Sequence, residues 1–286
     1  MIDLTAIRAA FAELNNITPL RAISGQKDVF SAEKGTDRVA LKIIRKLGPQ
    51  QDRAEREIAA VAMLNSDYVP KVYDHGRRVI GGEERYYIIE EYVEGETYRE
   101  RLIRTPVQPL QDVLALASIL LQACGDFEAA GTDGLVHRDI KPENLIIDRN
   151  RKIWVIDFGI VRFLGMQSIT PDQQRFGMFT LGYGAPEQMR NLKPQINSRA
   201  DLFSIGVVLY ESIVGYNPYG AGRYNDFVVL QRMENTDLPR LTIAEDSDGE
   251  LSEFIASLTS RFPSRRPQTA REAIEWFAPI YRKLKT

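Results

Sequence analysis

The sequence predicts an α+β fold of two lobes, in which a small β-rich lobe with one helix is followed by a larger, mainly helical lobe. The chain has 286 residues, about twice the length of an average single domain. Short runs of β-branched and aromatic residues, separated by glycines, fill residues 20–93. Beyond Gly95 the apolar residues recur with helical spacing. We therefore assign residues 1–17 to a leading helix, 18–93 to the small lobe and 94–286 to the larger lobe.

The small lobe is predicted to begin with a helix and to continue as a sheet. Residues 2–14 place apolar side chains near helical spacing and contain no glycine or proline. Asn15, Asn16 and Pro19 are expected to end that helix. A second helix is predicted at 50–64, where the apolar side chains share one face. Strands are predicted at residues 29–30, 39–44, 69–73 and 86–89.

The larger lobe is predicted to form around two apolar helices. Residues 110–130 form a long, mostly apolar helical pattern, and residues 200–214 are apolar nearly all round, which is typical of a buried helix. Two amphipathic helices are predicted at 250–260 and 269–284, and two short strands at 145–148 and 153–156.

The composition is that of a soluble globular protein, with 44% apolar and 27% charged residues. A net charge of −2 provides no basic excess, so we expect no nucleic-acid partner. Cys124 is the single cysteine and cannot form an intrachain disulfide. The longest apolar run, residues 113–124, is shorter than the roughly 20 residues of a membrane span. We expect a cytoplasmic protein with no membrane partner, and the sequence leaves the oligomeric state open.

The strongest chemical signal is the stretch HRDIKPEN at residues 137–144, followed by DFG at residues 157–159. Together these segments offer carboxylates, an amide and a lysine next to short predicted strands. Hard oxygen ligands of this kind hold divalent cations, and a carboxylate can orient a hydroxyl group. A single aspartate in such a loop is more often a turn or cap residue, but the combination of both segments favours a chemical role.

On these residues the chain resembles the protein kinase family over roughly residues 20–275. Residues 39–42, VALK, are similar to the family's VAIK strand, and residues 184–187, GAPE, are similar to its APE segment. Each motif alone is weak, whereas all of them in the family's order are specific. The resemblance implies the bilobal protein-kinase fold and transfer of the γ-phosphoryl group of ATP to a hydroxyl of a protein substrate.

The resemblance also implies roles for the residues of the catalytic segment. Asp139 would accept or orient the proton of the substrate hydroxyl, and Lys141 would contact the γ-phosphate. Asn144 and Asp157 would hold Mg²⁺, with Mn²⁺ as the alternative metal. Lysine two residues after the catalytic aspartate, together with Thr180, is similar to the serine/threonine branch of the family.

The nucleotide site is implied by residues of both lobes. Lys42 would hold the α- and β-phosphates and Glu57 would be its ion-pair partner. Adenine would bind the backbone of Glu91 and Val93. The apolar walls of the site would be Ala40 and Leu145, and the glycine-rich loop would contribute Gly25, Lys27 and Val29.

Further residues are implied to support or regulate the site. Asp201 should brace the catalytic loop, Arg266 should pair with Glu187, and His137 should be a core residue rather than a general base. Arg138 precedes the catalytic aspartate, as in family members whose activation segment is ordered by a phosphate. We therefore predict autophosphorylation within that segment, at Ser168 or Thr170.

The chain departs from the family at two places. The glycine-rich loop has Gly25 as its only glycine and Lys27 at the third glycine position, where the lysine would either bind phosphate or point at solvent. Glu90 aligns with the residue behind the adenine, which is usually apolar or threonine. Its carboxylate would either face Lys42 and Glu57 or turn outward through a register shift.

The sequence leaves two alternatives to an active protein kinase, and the two departures support only the first. One is a pseudokinase that binds nucleotide as a scaffold without catalysis. The other is a small-molecule phosphotransferase of the aminoglycoside-phosphotransferase type, which lacks the APE segment and its arginine. Because the catalytic and metal-binding residues are all present, we expect an active enzyme.

Overall fold

The computed structural model describes residues 2–20, 27–44, 51–130, 134–158, 180–192 and 196–285. These residues form two compact units. The first unit comprises the described residues as far as Asn65, together with Val69–Glu94 and Phe158. The second comprises Ser66–Tyr68, Gly95–Asp157 and the described residues from Thr180 onward.

The first unit is built on a five-stranded antiparallel sheet with strand order β1-β2-β3-β5-β4. Its strands are β1 (Asn15–Leu20), β2 (Lys27–Lys34), β3 (Asp37–Ile44), β4 (Val72–Ile80) and β5 (Glu83–Glu91). Helix α1 (Leu4–Ala10) precedes the sheet, and helix α2 (Gln51–Ala62) packs against β4. The turn between β2 and β3 contains Gly35 at φ +63°, a left-handed conformation that glycine adopts without steric cost.

The two faces of this sheet have different environments because side chains alternate along each strand. One face forms an apolar core in which Ile7 and Phe11, at α1, pack with Leu41 and Ile89 of the strands. Arg78 lies over the ring of Phe11, with its guanidinium carbon 4.4 Å from the ring centroid. The opposite face carries the charged residues considered below.

The second unit combines helices with a small antiparallel sheet of strand order β6-β7-β8. The strands are β6 (Gly95–Thr97), β7 (Leu145–Asp148) and β8 (Ile153–Val155). The helices are α3 (Tyr98–Arg104), α4 (Leu110–Ala129), α5 (Pro186–Met189), α6 (Ser198–Val214), α7 (Asp226–Asn235), α8 (Glu250–Leu258) and α9 (Ala270–Leu284). One-turn 3-10 helices lie at Pro142–Asn144 and Pro263–Arg265.

Helices α4 and α6 form the core of the second unit. Nearly every residue of α6 is buried, and Gly206 allows α8 to approach it, since a Cβ at that position would lie 2.7 Å from Leu258. Among the described residues, α4 is the one helix that is long and apolar enough to cross a membrane. Its apolar side chains pack instead against α6 and α9, which is the environment of a core helix.

Most predicted elements of the second unit are confirmed, and the main differences lie in the first. β7 has the predicted bounds, and α4, α6, α8 and α9 begin and end within two residues of prediction. The leading helix, however, ends at Ala10, because residues predicted to be a turn form β1 and pair with β2. The strand predicted at 69–73 begins at Val72 and continues to Ile80. Helices α3 and α7 and strand β6 were not predicted.

Candidate active site

The segment that carries Asp139 lies between α4 and β7 and is fixed by backbone contacts. Asp201, in the first turn of α6, accepts hydrogen bonds from the backbone N–H groups of His137 and Arg138 at 2.7 and 2.8 Å. The Ile156 N–H donates to the Asn144 carbonyl at 2.9 Å, which joins the segment to the residues before Asp157. Burial raises the pKa of Asp201 to about 7, although both backbone donors favour its ionised form. These two hydrogen bonds attach the loop to the first turn of α6.

Two residues of this region have left-handed backbone conformations that are uncommon for side chains larger than glycine. Arg138 has φ +66° and Asp157 has φ +62°. Such conformations cost about 1–3 kcal/mol each and are retained where surrounding contacts impose them. Asp201 supplies one such contact, since it holds the N–H of Arg138. The strained backbone therefore coincides with both segments that the sequence singled out.

Four side chains identified from the sequence meet in one polar network. Asp139 is 8% exposed. Its Oδ1 accepts from Thr180 Oγ1 at 2.5 Å, and its Oδ2 lies 2.9 Å from Asn144 Nδ2 and 3.1 Å from Lys141 Nζ. Lys141 Nζ also donates to Thr180 Oγ1 at 3.1 Å. The network holds a carboxylate beside a cation, and the Thr180 contact demonstrates that a hydroxyl can donate to Asp139 Oδ1.

Asn144 and Asp157 offer hard oxygen atoms of the kind that bind a divalent cation. The Asn144 amide nitrogen donates to the Asp139 carbonyl and carboxylate, both at 2.9 Å. Its oxygen is therefore the atom left to act as a ligand. The described residues contain no cluster of three or more His, Cys, Asp or Glu side chains suited to a metal. Mg²⁺ commonly takes only one or two protein carboxylates and fills its other positions with water and phosphate oxygens.

His137 is a buried, neutral residue whose two ring nitrogens both have partners. Nε2 lies 3.1 Å from the Ile156 carbonyl, and the N–H of Asp139 donates to Nδ1 at 3.3 Å. These contacts require the proton on Nε2. The ring stacks on Phe127 with centroids 5.9 Å apart. Burial lowers the pKa of His137 to about 4, which outweighs the opposing effects of nearby carboxylates. With its lone pair engaged, His137 is a structural residue and not a base.

We predict that the imidazole of His137 stays neutral, with its proton on Nε2, down to about pH 5, because burial disfavours the charged ring. Long-range ¹H–¹⁵N NMR spectra recorded across a pH titration measure the tautomer and charge directly. The chain has two histidines, so a His137→Gln variant assigns the resonances. A midpoint near the unperturbed value of about 6.5 would contradict this assignment.

A buried ion pair joins α5 to the residue that follows the 3-10 helix Pro263–Arg265. Arg266 Nη1 and Nη2 donate to the two oxygens of Glu187 at 2.7 and 3.0 Å, and both side chains are at most 1% exposed. Arg266 also donates to the carbonyls of Arg199 and Ser260. The pair expected from the resemblance is therefore present, and it is bidentate.

A second network was missed by the sequence reasoning. Arg99, on α3, donates to Glu143 Oε1 at 2.7 Å and to Glu211 Oε1 at 2.8 Å, and it also contacts the hydroxyl of Tyr183. The Tyr183 hydroxyl donates to Glu211 Oε2 at 2.5 Å, and burial raises the pKa of Tyr183. Glu143 lies in the HRDIKPEN stretch and Tyr183 directly precedes GAPE. Nothing in the sequence marked Arg99 or Glu211 as their partners.

The residues assigned to nucleotide binding in the first unit lie mainly on β2, β3 and β5. Lys42 is 5% exposed and Lys27 is 6% exposed, so the alternative in which Lys27 points at solvent is wrong. Ala40, two residues before Lys42 on β3, is also buried. Val29, Glu57, Glu91 and Val93 are half-buried, and Leu145 in the second unit is fully buried. Gly25, Ser168 and Thr170 lie outside the described residues.

Glu90 faces Lys42, and the alternative in which a register shift turns it outward is wrong. In the pairing of β3 with β5, Ala40 lies opposite Glu90 and Lys42 lies opposite Ile88. All four side chains therefore share one face of the sheet. Glu90 Oε1 forms an ion pair with Lys42 Nζ. A cation thus compensates the carboxylate.

Comparison with known proteins matches residues 27–277 to the protein kinase domain. The serine/threonine-protein kinase PknL of Mycobacterium tuberculosis is 35% identical over 235 residues, which are 80% of this chain and 55% of PknL. The serine/threonine-protein kinase PknB of Mycolicibacterium smegmatis is 32% identical over 222 residues, 77% of this chain and 34% of PknB. The chain therefore spans about half the length of PknL and about a third of PknB.

Proposed function

The chain belongs to the protein kinase family, and on this premise we propose that it transfers the γ-phosphoryl group of ATP to serine and threonine hydroxyls of protein substrates. The observation that carries the proposal is the network of Asp139, Lys141, Asn144 and Thr180. The curated relatives at 30–35% identity are serine/threonine-protein kinases, which supports the same hydroxyl acceptors. The APE segment and its arginine, Arg266, argue against the aminoglycoside-phosphotransferase alternative.

The proposed mechanism relies on positioning and electrostatic stabilisation. Asp139 accepts the proton of the attacking hydroxyl, whose oxygen then bonds to the γ-phosphorus as the bond to the β-phosphate oxygen breaks. Lys141, 3.1 Å from Asp139, stabilises the negative charge on the transferring group. Mg²⁺ held by Asn144 and Asp157, with Mn²⁺ as the alternative, would supply charge neutralisation on the phosphates. Asp201 keeps Asp139 in place by holding the two preceding residues.

We assign nucleotide binding to residues that the family uses for this purpose. Lys42 holds the α- and β-phosphates, with Glu57 as a further anionic partner for its ammonium group. The backbone of Glu91 and Val93 binds adenine, and Gly25, Lys27 and Val29 contribute to phosphate binding. Ala40 and Leu145, both buried, are assigned as apolar residues that contact adenine.

We also propose that the segment containing Ser168 and Thr170 is autophosphorylated. A phosphoryl group adds about −1.5 to −2 charges and three acceptor oxygens, which a guanidinium can meet with paired hydrogen bonds. Arg138 is the proposed receptor for this phosphate. Thr180 is the poorer acceptor because its hydroxyl is already held by Asp139 and Lys141.

A cytoplasmic location accompanies these proposals. It is supported by the packing of α4, whose apolar side chains lie in the core of the second unit.

Incubation of the purified chain with labelled ATP, Mg²⁺ and a generic protein substrate tests the proposal. We expect label on serine and threonine of the substrate, and mass spectrometry should find Ser168 or Thr170 modified. Asp157→Ala should abolish both, because the metal loses its carboxylate ligand, while the thermal transition stays largely unchanged. Replacing Mg²⁺ with Mn²⁺ or EDTA identifies the metal. Nucleotide binding without any transfer of label would instead establish a pseudokinase.

A further inference from the structure

The face of the first sheet that carries Lys42 also carries a second charge, which belongs to Glu90. In the pairing of β3 with β5, Lys42 lies directly opposite Ile88, and Glu90 lies directly opposite Ala40. Lys42 and Glu90 are therefore diagonal neighbours on the same face of the sheet. Long side chains on such diagonal positions are within reach of one another. Glu90 Oε1 contacts Lys42 Nζ directly.

The pair is largely shielded from water, which strengthens its attraction. The Lys42 and Glu90 side chains are 6% and 13% exposed. Their direct partners across the strands, Ile88 and Ala40, are themselves buried. Two opposite charges attract more strongly where water is excluded, and a buried charge is costly once its partner is removed. In this arrangement Glu90 therefore holds the Lys42 ammonium group strongly.

This contact affects the group that is assigned to the nucleotide phosphates. An ammonium group paired with a carboxylate presents little net positive charge to an approaching polyanion. To contact a phosphate oxygen, Lys42 must leave Glu90 or share its donors between the two anions. Either change costs free energy that a lysine facing an apolar residue would not lose.

We propose that Glu90 is a positioning residue that holds Lys42 by ion pairing and thereby lowers the affinity of this site for nucleoside di- and triphosphates. The inference rests on the proposed function, because it takes Lys42 as the phosphate-binding cation. Glu90 takes no part in the apolar core around Leu41 and Ile89, which lies on the opposite face of the sheet.

Calorimetric affinities for ADP and for adenosine test the inference, because adenosine has no phosphate for Lys42 to bind. Glu90→Gln keeps the side-chain length and removes the charge. We expect it to tighten ADP binding about tenfold, equivalent to about 1.4 kcal/mol, and to leave adenosine binding unchanged. Glu90→Asp retains the charge at a longer distance, so we expect a smaller tightening that is also confined to ADP. If Glu90→Gln fails to fold, the affinities of Glu90→Asp test the inference in its place.

Two further variants isolate the Lys42 interaction. Glu83→Gln removes a 70% exposed carboxylate from the same strand and should change neither affinity. Lys42→Met should weaken ADP binding, and adding Glu90→Gln to it should produce no tightening, because the cation that Glu90 restrains is gone.

The outcomes separate this inference from the proposed function. Equal effects of Glu90→Gln on ADP and adenosine, or weaker ADP binding, would overturn the inference while leaving nucleotide binding intact. Tightening of ADP that persists in the Lys42→Met background would overturn it as well. A wild-type chain that binds neither ligand would overturn the proposed function and this inference together.

Discussion

Asp139→Asn is expected to reduce the rate of phosphoryl transfer by about 10²–10⁴-fold, the usual cost of losing a general base, or about 3–5 kcal/mol of activation free energy. The amide is nearly isosteric with the carboxylate but cannot take the proton of the attacking hydroxyl. It also removes the anion beside Lys141, whose ammonium lies 3.1 Å away. The loss should appear in kcat, because the affected step follows binding.

Steady-state kinetics with a protein substrate measure this effect, and circular dichroism checks the fold. Asp226→Asn is the matched control, since it makes the same chemical change at an exposed position at the start of α7 and should retain wild-type activity. Retained affinity for ADP would separate lost chemistry from lost binding. Wild-type turnover by Asp139→Asn would refute the assignment of the base.

Arg266→Met is expected to destabilise the second unit by about 3–5 kcal/mol, because it leaves Glu187 as a buried charge without its cation. Two hydrogen bonds to Glu187 and further ones to backbone carbonyls are lost with the guanidinium. At about 2–4 °C per kcal/mol, the melting temperature should fall by roughly 6–20 °C. Thermal and denaturant unfolding followed by circular dichroism measure this change.

Arg271→Met provides the comparison, since Arg271 pairs with Glu275 one helical turn away at the surface of α9. An exposed pair of this kind contributes about 0.3–0.5 kcal/mol, so the control should melt close to wild type. The double variant Glu187→Leu with Arg266→Met should recover part of the lost stability, because no buried charge remains. Similar melting temperatures for Arg266→Met and Arg271→Met would show that burial of the first pair is energetically unimportant.

Long periodic patterns predicted the helical part of the fold well. The bounds of α4 and α6 follow from apolar side chains repeated over many turns, and such a pattern needs no knowledge of the partner surface. β1 was missed because Asn15, Asn16 and Pro19 have turn propensity. Asn15 and Pro19 nevertheless pair with β2, on either side of an irregularity where Asn16 has φ +53°, and an edge strand tolerates a proline. Helix α3 is only seven residues long, too short for periodicity to identify.

The residues of the candidate site also fall into two groups, those that a local motif predicted and those that only the packing of the fold brings together. Asp139, Lys141 and Asn144 are close in sequence, so one local motif was enough to predict that they act together. Glu187 and Arg266 are 79 residues apart, and only the family resemblance connected them before the structure did. Arg99 belongs to no motif, and its contacts with Glu143 and Glu211 come from the packing of α3.

The sequence by itself indicated the family, which the match to the protein kinase domain confirms. It also supplied the residues that we propose as the base and the metal ligands of a phosphoryl-transfer site, because these are encoded in short motifs. Only the tertiary structure decided that Glu90 faces Lys42. A shift of one residue between β3 and β5 would have turned Glu90 to the opposite face of the sheet. The register that prevents this shift is set by the whole pairing of Val39–Ile43 with Tyr87–Glu91 and by the core beneath it, and no short stretch of sequence contains that information.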